Sequence, residues 1–519
     1  MNKKILAILL AALMLLPLLA ACSSGTENAG QDQTGTGSDT QTQPSSTENG
    51  GEEQDETARI EPNVPASDFG GADFVISCTS NTEYGPAQDD FFAEEITGEP
   101  INDARRQRNI TVGDKLNINI VDIRGGAGAS RADVSEGSNA IMQSVQAGTA
   151  DYDLATAGGY ATSSLALKGY LYDINTVPYI DLSAPWWDQV GNKDLQILGQ
   201  LFYTTGDIST ADNDATYCIM FNKQLVEDYH LQNPYELVYA DKWTMENFIG
   251  MATSVYEDLN ANGEFCTGTT NFDIEDRFGA LIWDDSMMGV VNCTGEKCCS
   301  VNDEGLLEFT LNTEKTVDAV TRFLDFASQK QYACTYQRVI WEDTGLITMF
   351  SNNQGLFLMQ LIQIVPKMRE MDANFGILPY FKFDESQQNY YTTIGSWHSV
   401  FLCVPNGVKD IERTGIVTEC LANEGLYTLT PAYYEKTLVG KSTRDQESSG
   451  MLDIIFANRV FDMGWYYAVG GWNEGVMNLL RNYNNNMASQ LKSTEKVCKK
   501  TIEKTNDSFL KAYEAAHGN

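Results

Sequence analysis

Between Ala72 and Tyr160 the chain alternates short apolar runs with longer stretches whose apolar positions recur at helical spacing. "ADFVIS" (72–77) and "LNINIVD" (116–122) are rich in β-branched residues, and the stretch from Asn102 to Lys115 between them reads as a helix. A further helix over Asp133–Gln146 leads into "DYDLATAGG" (151–159), a third strand that closes on glycines. Strand, helix, strand, helix, strand predicts an α/β fold with a parallel sheet under covering helices, where ligands bind beyond the carboxyl ends of strands. Tyr160, displayed on the Gly158–Gly159 turn at such an end, is a candidate contact. Near the C-terminus, Met487, Leu491, Val497, Thr501 and Ile502 are spaced along one face of a helix expected to pack on its domain.

The N-terminus has a different pattern. Lys3 and Lys4 precede an apolar segment, Ile5–Leu19, and then Leu19-Ala20-Ala21-Cys22, the layout of an export signal. The segment is too short to be a convincing membrane span. Leu-Ala-Ala-Cys resembles the lipobox of bacterial lipoproteins, which implies that residues 1–21 are cleaved and Cys22 becomes a lipid-bearing first residue. Acyl chains contribute about 0.8 kcal/mol per buried methylene, so several hold a protein to a membrane without a spanning helix. Residues 23–57 are Ser, Thr, Gly, Gln, Asn, Asp and Glu with almost nothing apolar, too little to offset the entropy of ordering. Residues 22–60 therefore read as a tether spanning roughly 30 Å, with the body outside the cell.

The body is apolar enough for a large core and more than one domain, since 42% of the 519 residues are hydrophobic. A formal charge of -36 argues against nucleic acid and against direct docking on anionic lipid. The chain has eleven cysteines; Cys293, Cys298 and Cys299 are spaced to close a hairpin by disulfide, with Cys266 a further partner, while Cys78 and Cys403 sit in strand-like runs as buried apolar groups. Three histidines and no CxxC pair leave little for a zinc site. No GxSxG elbow, HExxH motif or P-loop occurs, so no nucleophile–base pair is indicated. A glycosidase needs only two carboxylates at the right separation, and nothing in the sequence positions such a pair. Repeats that would mark an adhesin or structural lipoprotein are absent.

From about residue 70 onward, several segments in order are similar to the extracellular solute-binding proteins of ABC importers, in their carbohydrate-binding, maltose-binding-type family: "DYDLATAGGYATSSLALKGYLYDI" (151–174), "YIDLSAPWWDQ" (179–189), "LFYTTGDIS" (201–209), "CIMFNKQLVEDYHLQNPYEL" (218–237), "FSNNQGLFLMQ" (350–360), "FGILPYFKFDESQQNYYTT" (375–393) and "DMGWYYAVGG" (462–471). The resemblance implies an α/β, two-lobe, type II periplasmic-binding-protein-like fold whose hinge is crossed three times, near Asp212–Thr216, Thr393–His398 and Lys441–Gln446. Lobe 1 is then residues 68–213 plus 397–440, and lobe 2 residues 217–393 plus 446–519. It implies no catalysis and no required cofactor. A carbohydrate, expected to be an oligosaccharide, is held between the lobes and delivered to ABC permease subunits by a monomer anchored on the outer face of a bacterial cytoplasmic membrane, of Gram-positive type. An extracellular glycoside hydrolase, or a lipoprotein binding a peptide or other small solute, is the alternative.

A sugar needs paired donors and acceptors for its hydroxyls and aromatic rings for its C–H faces. By position, the resemblance carries these roles to Tyr160, Asp214, Trp283, Asp284, Asp285, Gly395, Ser396, Trp397, Trp465 and Tyr466, while the Trp186–Trp187 pair reads as packing in lobe 1. Separately, "DLNANGEF" (258–265) sets Asp258, Asn260 and Asn262 at alternate positions before Gly263, as in an EF-hand-type calcium loop. Position 12 of an unbroken loop is Thr269, which lacks the bidentate carboxylate. Related solute-binding proteins continue with two acids three apart, matched here by Asp273 and Asp276. A structural Ca2+ on these residues and the Glu264 carbonyl is expected; the plainer reading is an Asx-rich turn.

Overall fold

The computed structural model describes residues 59–79, 91, 93–125, 136–267, 271–336, 345–438 and 446–518. The expected signal segment, Cys22, most of the expected tether and nearly all of the expected third crossing lie outside them. The strands that build the two large sheets and the strip between them are, in chain order, β1 (Ala72–Thr79), β2 (Ile118–Gly125), β3 (Leu154–Gly158), β4 (Tyr217–Asn222), β5 (Phe278–Ile282), β6 (Ala333–Thr335), β7 (Gly355–Leu361), β8 (Phe375–Leu378), β9 (Thr392–Thr393), β10 (Val400–Cys403) and β11 (Arg459–Val460). Helices that bear on the site are α1 (Pro100–Leu116), α2 (Glu136–Ala147), α3 (Gly159–Leu167), α4 (Ala211–Asp214), α5 (Ser286–Asn292), α6 (Ile411–Leu438), α7 (Gln446–Ala457), α8 (Met463–Tyr466), α9 (Trp472–Arg481) and α10 (Met487–His517).

The first helix shows why its boundaries fall where they do. Glu99 caps it by accepting from the Asn102 N–H at 2.7 Å, Pro100 fills the position where no N–H is needed, and Asn117 ends it in the left-handed region. The chain then enters β2, which runs parallel to β1 in the register Ala72↔Ile118. Two sheets result. The first has the order β10-β3-β1-β2, parallel except for β10, and the second β6-β5-β7-β4-β8, with β4 antiparallel to both its neighbours. β3 and β7 are buried along their whole length, as expected for strands covered on both faces.

Three segments run side by side between the sheets. Thr216 bridges Ile394, the Gly395 N–H donates to the Ala215 carbonyl at 2.8 Å, and β9 pairs in parallel with β11. Arg459 fastens this strip: its guanidinium donates to Asp212 at 2.8 Å and pairs with Asp188, in a setting where all three side chains are at least 90% buried. A buried guanidinium with two carboxylates is held in one geometry, because removing any partner leaves a charge without compensation.

Packing departs from the sequence expectation in two places. On α10 the buried residues are Met487, Leu491, Cys498, Thr505 and Phe509, whereas Val497 is exposed; 491, 498 and 505 are two turns apart and line up, and Val497 lies about 100° off that line. The nine described cysteines with resolved side chains, including Cys293, Cys298 and Cys299, are free thiols in the interior, so the hairpin disulfide is not formed. Trp186 and Trp187 pack as expected, both in the core, the Trp187 indole donating to Glu419 at 2.9 Å. Among the described residues no helix is long and apolar enough to cross a membrane.

Candidate ligand site between the two sheets

The turn from β3 into α3 is set by Gly159. A Cβ there would lie 2.5 Å from the Ser399 hydroxyl and 2.9 Å from the Tyr466 ring, so only glycine lets the turn approach the strip at β10. Tyr160 follows. Its hydroxyl pairs with Ser396 Oγ at 2.8 Å and accepts from Asn473 Nδ2 at 3.0 Å, and its ring lies 6.1 Å from that of Trp397 at a 54° tilt. Burial raises the Tyr160 pKa, with Asp285 and Glu474 pushing the same way and the Ser396 and Asn473 hydrogen bonds opposing.

From the second sheet, the chain leaving β5 supplies Trp283, Asp284 and Asp285. The Trp283 ring is 5.2 Å from His398 and 6.2 Å from Tyr217. Asp284 is buried and accepts from Arg481 Nε at 2.5 Å, and the same guanidinium donates to Glu474 at 2.7 Å. Tyr160, Trp283, Asp284, Asp285, Ser396 and Trp397 thus belong to one linked set drawn from both sheets and the strip between them. Gly395 serves through its backbone, with the Tyr217 ring closing off its Cα.

Three predicted residues are placed elsewhere. Asp214 is engaged by α6, accepting from the Tyr433 hydroxyl at 2.9 Å. Trp465 is fully buried, its indole donating to Asn292 at 2.9 Å, and Tyr466 packs edge-on against Phe401 at 5.1 Å. Both rings fill the core under α8, so neither presents a face for stacking. The structure adds Tyr217, His398, Asn473, Glu474 and Arg481. Of these, Glu474 and Arg481 lie with Asn478 on an i, i+4, i+7 polar stripe of α9, a signal present in the sequence. Tyr217 had none, since it opens an apolar strand.

The loop Asp258–Glu264 is wound by its own side chains. Asp258 accepts from the Asn262 and Gly263 N–H groups at 3.1 and 2.7 Å, and the Asn260 and Asn262 amides both reach Asp273, at 2.9 and 2.6 Å. Asp276 accepts from the Leu259 N–H at 3.1 Å, while its second oxygen is buried with no hydrogen-bond partner. Two amides thus meet at Asp273, while Asp258 and Asp276 bond backbone N–H groups of the same loop. Among the described residues no group of three or more His, Cys, Asp or Glu comes together as a metal site, so this set depends on its two asparagines. Two surface concavities lie away from the aromatic set: one of about 630 Å³ along the β2 edge, by Phe91, Arg106 and Ile120, and one of about 530 Å³ by Glu264 and Lys330.

No protein-family model matches the chain, and no curated protein does. Solved structures do. A cyclo/maltodextrin-binding protein complexed with maltotetraose is 12% identical over 84% of this chain and 96% of its own, with a TM-score of 0.52. UgpB from Mycobacterium tuberculosis, in complex with glycerophosphocholine, is 13% identical over 85% and 99%, also at 0.52. An ABC substrate-binding protein from Listeria monocytogenes in complex with cycloalternan is 12% identical over 85% and 98%, at 0.50. At these identities the likeness is one of fold, the two-domain type II fold of substrate-binding proteins.

Proposed function

We propose that the protein is a lipid-anchored extracellular solute-binding protein that captures a carbohydrate, an oligosaccharide, between two lobes and delivers it to an ABC permease without chemical change. The observation that carries this reading is the meeting of Tyr160 from the first sheet, Trp283 and Asp284 from the second, and Ser396 and Trp397 from the strip between them. Rings for C–H faces and carboxylates, hydroxyls and amides for hydroxyl groups are what sugar recognition demands. The maltotetraose and cycloalternan complexes of the structural neighbours support the same ligand class.

The lobes are residues 68–213 with 397–440, and 217–393 with 446–519, hinged at the strip around Ala215, Gly395 and Val460. A ligand that touches both lobes only when they are closed shifts the population toward the closed state. Lipid on Cys22 keeps that state near a membrane permease by raising its local concentration. Asp258, Asn260, Asn262, Asp273 and Asp276, with the Glu264 carbonyl, would hold a calcium ion that neutralises their charge and fixes the loop.

Calorimetric titration with a panel of oligosaccharides, run beside product chromatography, tests the function. Saturable heat with the sugar recovered intact is expected; cleaved products would assign a hydrolase, and silence across the panel would remove the sugar reading. For the loop, calcium added to chelator-treated protein is expected to raise the melting temperature, and an unmoved transition at millimolar calcium would eliminate the metal.

A further inference from the structure

The partners of helix α6 change along its length. Up to residue 430 they belong to the side of the first sheet: Arg413 donates to Asp153 at 2.5 Å, Glu419 accepts from Trp187 at 2.9 Å, and Thr430 donates to Asp207 at 2.5 Å. Val417 and Leu421 share a core with Phe74 of β1 and Leu154 of β3. From residue 432 onward the partners are different. Tyr433 donates to Asp214 and Tyr434 to Asp453 on α7, both at 2.9 Å, and Arg369 donates to the Lys436 carbonyl at 2.7 Å. Ala432 and Tyr433 share a core with Met220 of β4 and Leu358 of β7, in the second sheet. The first turn of α1 reaches that core too, through Ile101, but there the helix begins rather than continues.

The residue at the change is Pro431, which lies inside the helix and is exposed. A proline has no N–H, so the ladder bond to the Tyr427 carbonyl four residues back cannot form, and bending here breaks one hydrogen bond fewer than bending elsewhere in the helix. We propose that the third lobe crossing runs inside α6, at Pro431 rather than at Lys441–Gln446, and that this proline is the point at which the helix flexes when the jaws part. The proposal rests on the two-lobe reading of the preceding section and moves the end of lobe 1 from residue 440 to Thr430. In the conformation described, Tyr160 of lobe 1 meets Asn473 of lobe 2 at 3.0 Å, and α6 is helical from end to end. Opening separates the two bodies that hold its halves. The bend then falls where the holding side changes and the ladder is already interrupted.

Pro431→Ala in the full chain tests this, because it restores the ladder bond at an exposed position and removes little packing. The variant should favour the unbent helix and with it the closed jaws. It is expected to melt no lower than the parent, and its scattering curve without sugar should be the more compact of the two. Its affinity for maltotetraose, the ligand of one structural neighbour, should rise at least about threefold, since less of the binding free energy goes into closure. Hydrogen exchange supplies a second readout. Amide protection in the parent should change on adding the sugar over residues 427–437 and stay constant over 413–424, which remain with lobe 1 throughout. Superimposable scattering curves for the unliganded variant and parent, or protection that changes alike along both halves of α6, would overturn the crossing at Pro431. No heat with maltotetraose or any other sugar of the panel would instead bring down the glycan reading, and the unliganded scattering comparison would still decide the crossing.

Discussion

Trp283 and Trp397 are each half-buried, one ring tilted against His398 and the other against Tyr160. Replacing either with alanine should weaken sugar binding by about 1–3 kcal/mol and leave folding largely intact, as titration and thermal melting together would show. Trp465→Ala is expected to do the reverse, costing about 3–5 kcal/mol of stability, because its ring is enclosed and its N–H is committed to Asn292. Two buried carboxylates set a pH dependence. Burial, with Asp212 and Asp188 adding to it, pushes Asp207 up to about 7 against the pull of Thr430 and Arg459; burial also takes Glu419 to about 7 against its bond from Trp187. Both bind a proton more readily folded than unfolded. Their contribution is therefore complete below the ordinary carboxylate range, near pH 4, and is lost as pH rises through about 7. Melting temperature should fall between about pH 5.5 and pH 8, and Asp207→Asn with Glu419→Gln should flatten that fall. The tryptophans were visible in the sequence as types. Which of them face a ligand was not, since burial depends on what other segments bring.

At the scale of elements, β1, α1, β2, α2 and β3 were legible, because period-2 and period-3.6 patterns and cap residues such as Pro100 and Asn117 are local. The burial of α10 was legible only in part. Its helical period was clear, but Val497 and Cys498 are adjacent, and the neighbouring elements decide which of them turns inward. Phe509, absent from the predicted face, packs edge-on against Phe202 at 5.3 Å and Tyr467 at 6.2 Å. Phe509→Ala should cost about 3–5 kcal/mol in denaturant titration, with a lower midpoint and an unchanged slope. Gly159 shows the same limit from the other side: the glycine was evident, and its reason, the closeness of Ser399 and Tyr466, comes from segments more than two hundred residues away.

Across the whole molecule, the strip formed by Ala215, Gly395 and Val460 joins two sheets whose strands come from interleaved parts of the chain. The C-terminal helices pack on both sides: α8 and α10 touch α3 next to the first sheet, and α9 lies on α5 next to the second. If the two sheets belong to lobes that move as proposed, apolar contacts on both sides limit how far they can part without exposing rings such as Phe401 and Tyr466. Small-angle scattering should therefore show a modest contraction on adding a bound sugar, and superimposable curves would count against closure. The sequence by itself determined the α/β class and the pool of aromatic and acidic residues, because each is a property of composition or of short-range period. Only the tertiary structure decided that Tyr217, Asn473 and Arg481 join Tyr160 and Trp283 while Asp214, Trp465 and Tyr466 do not, because that choice depends on distances between segments far apart in the chain.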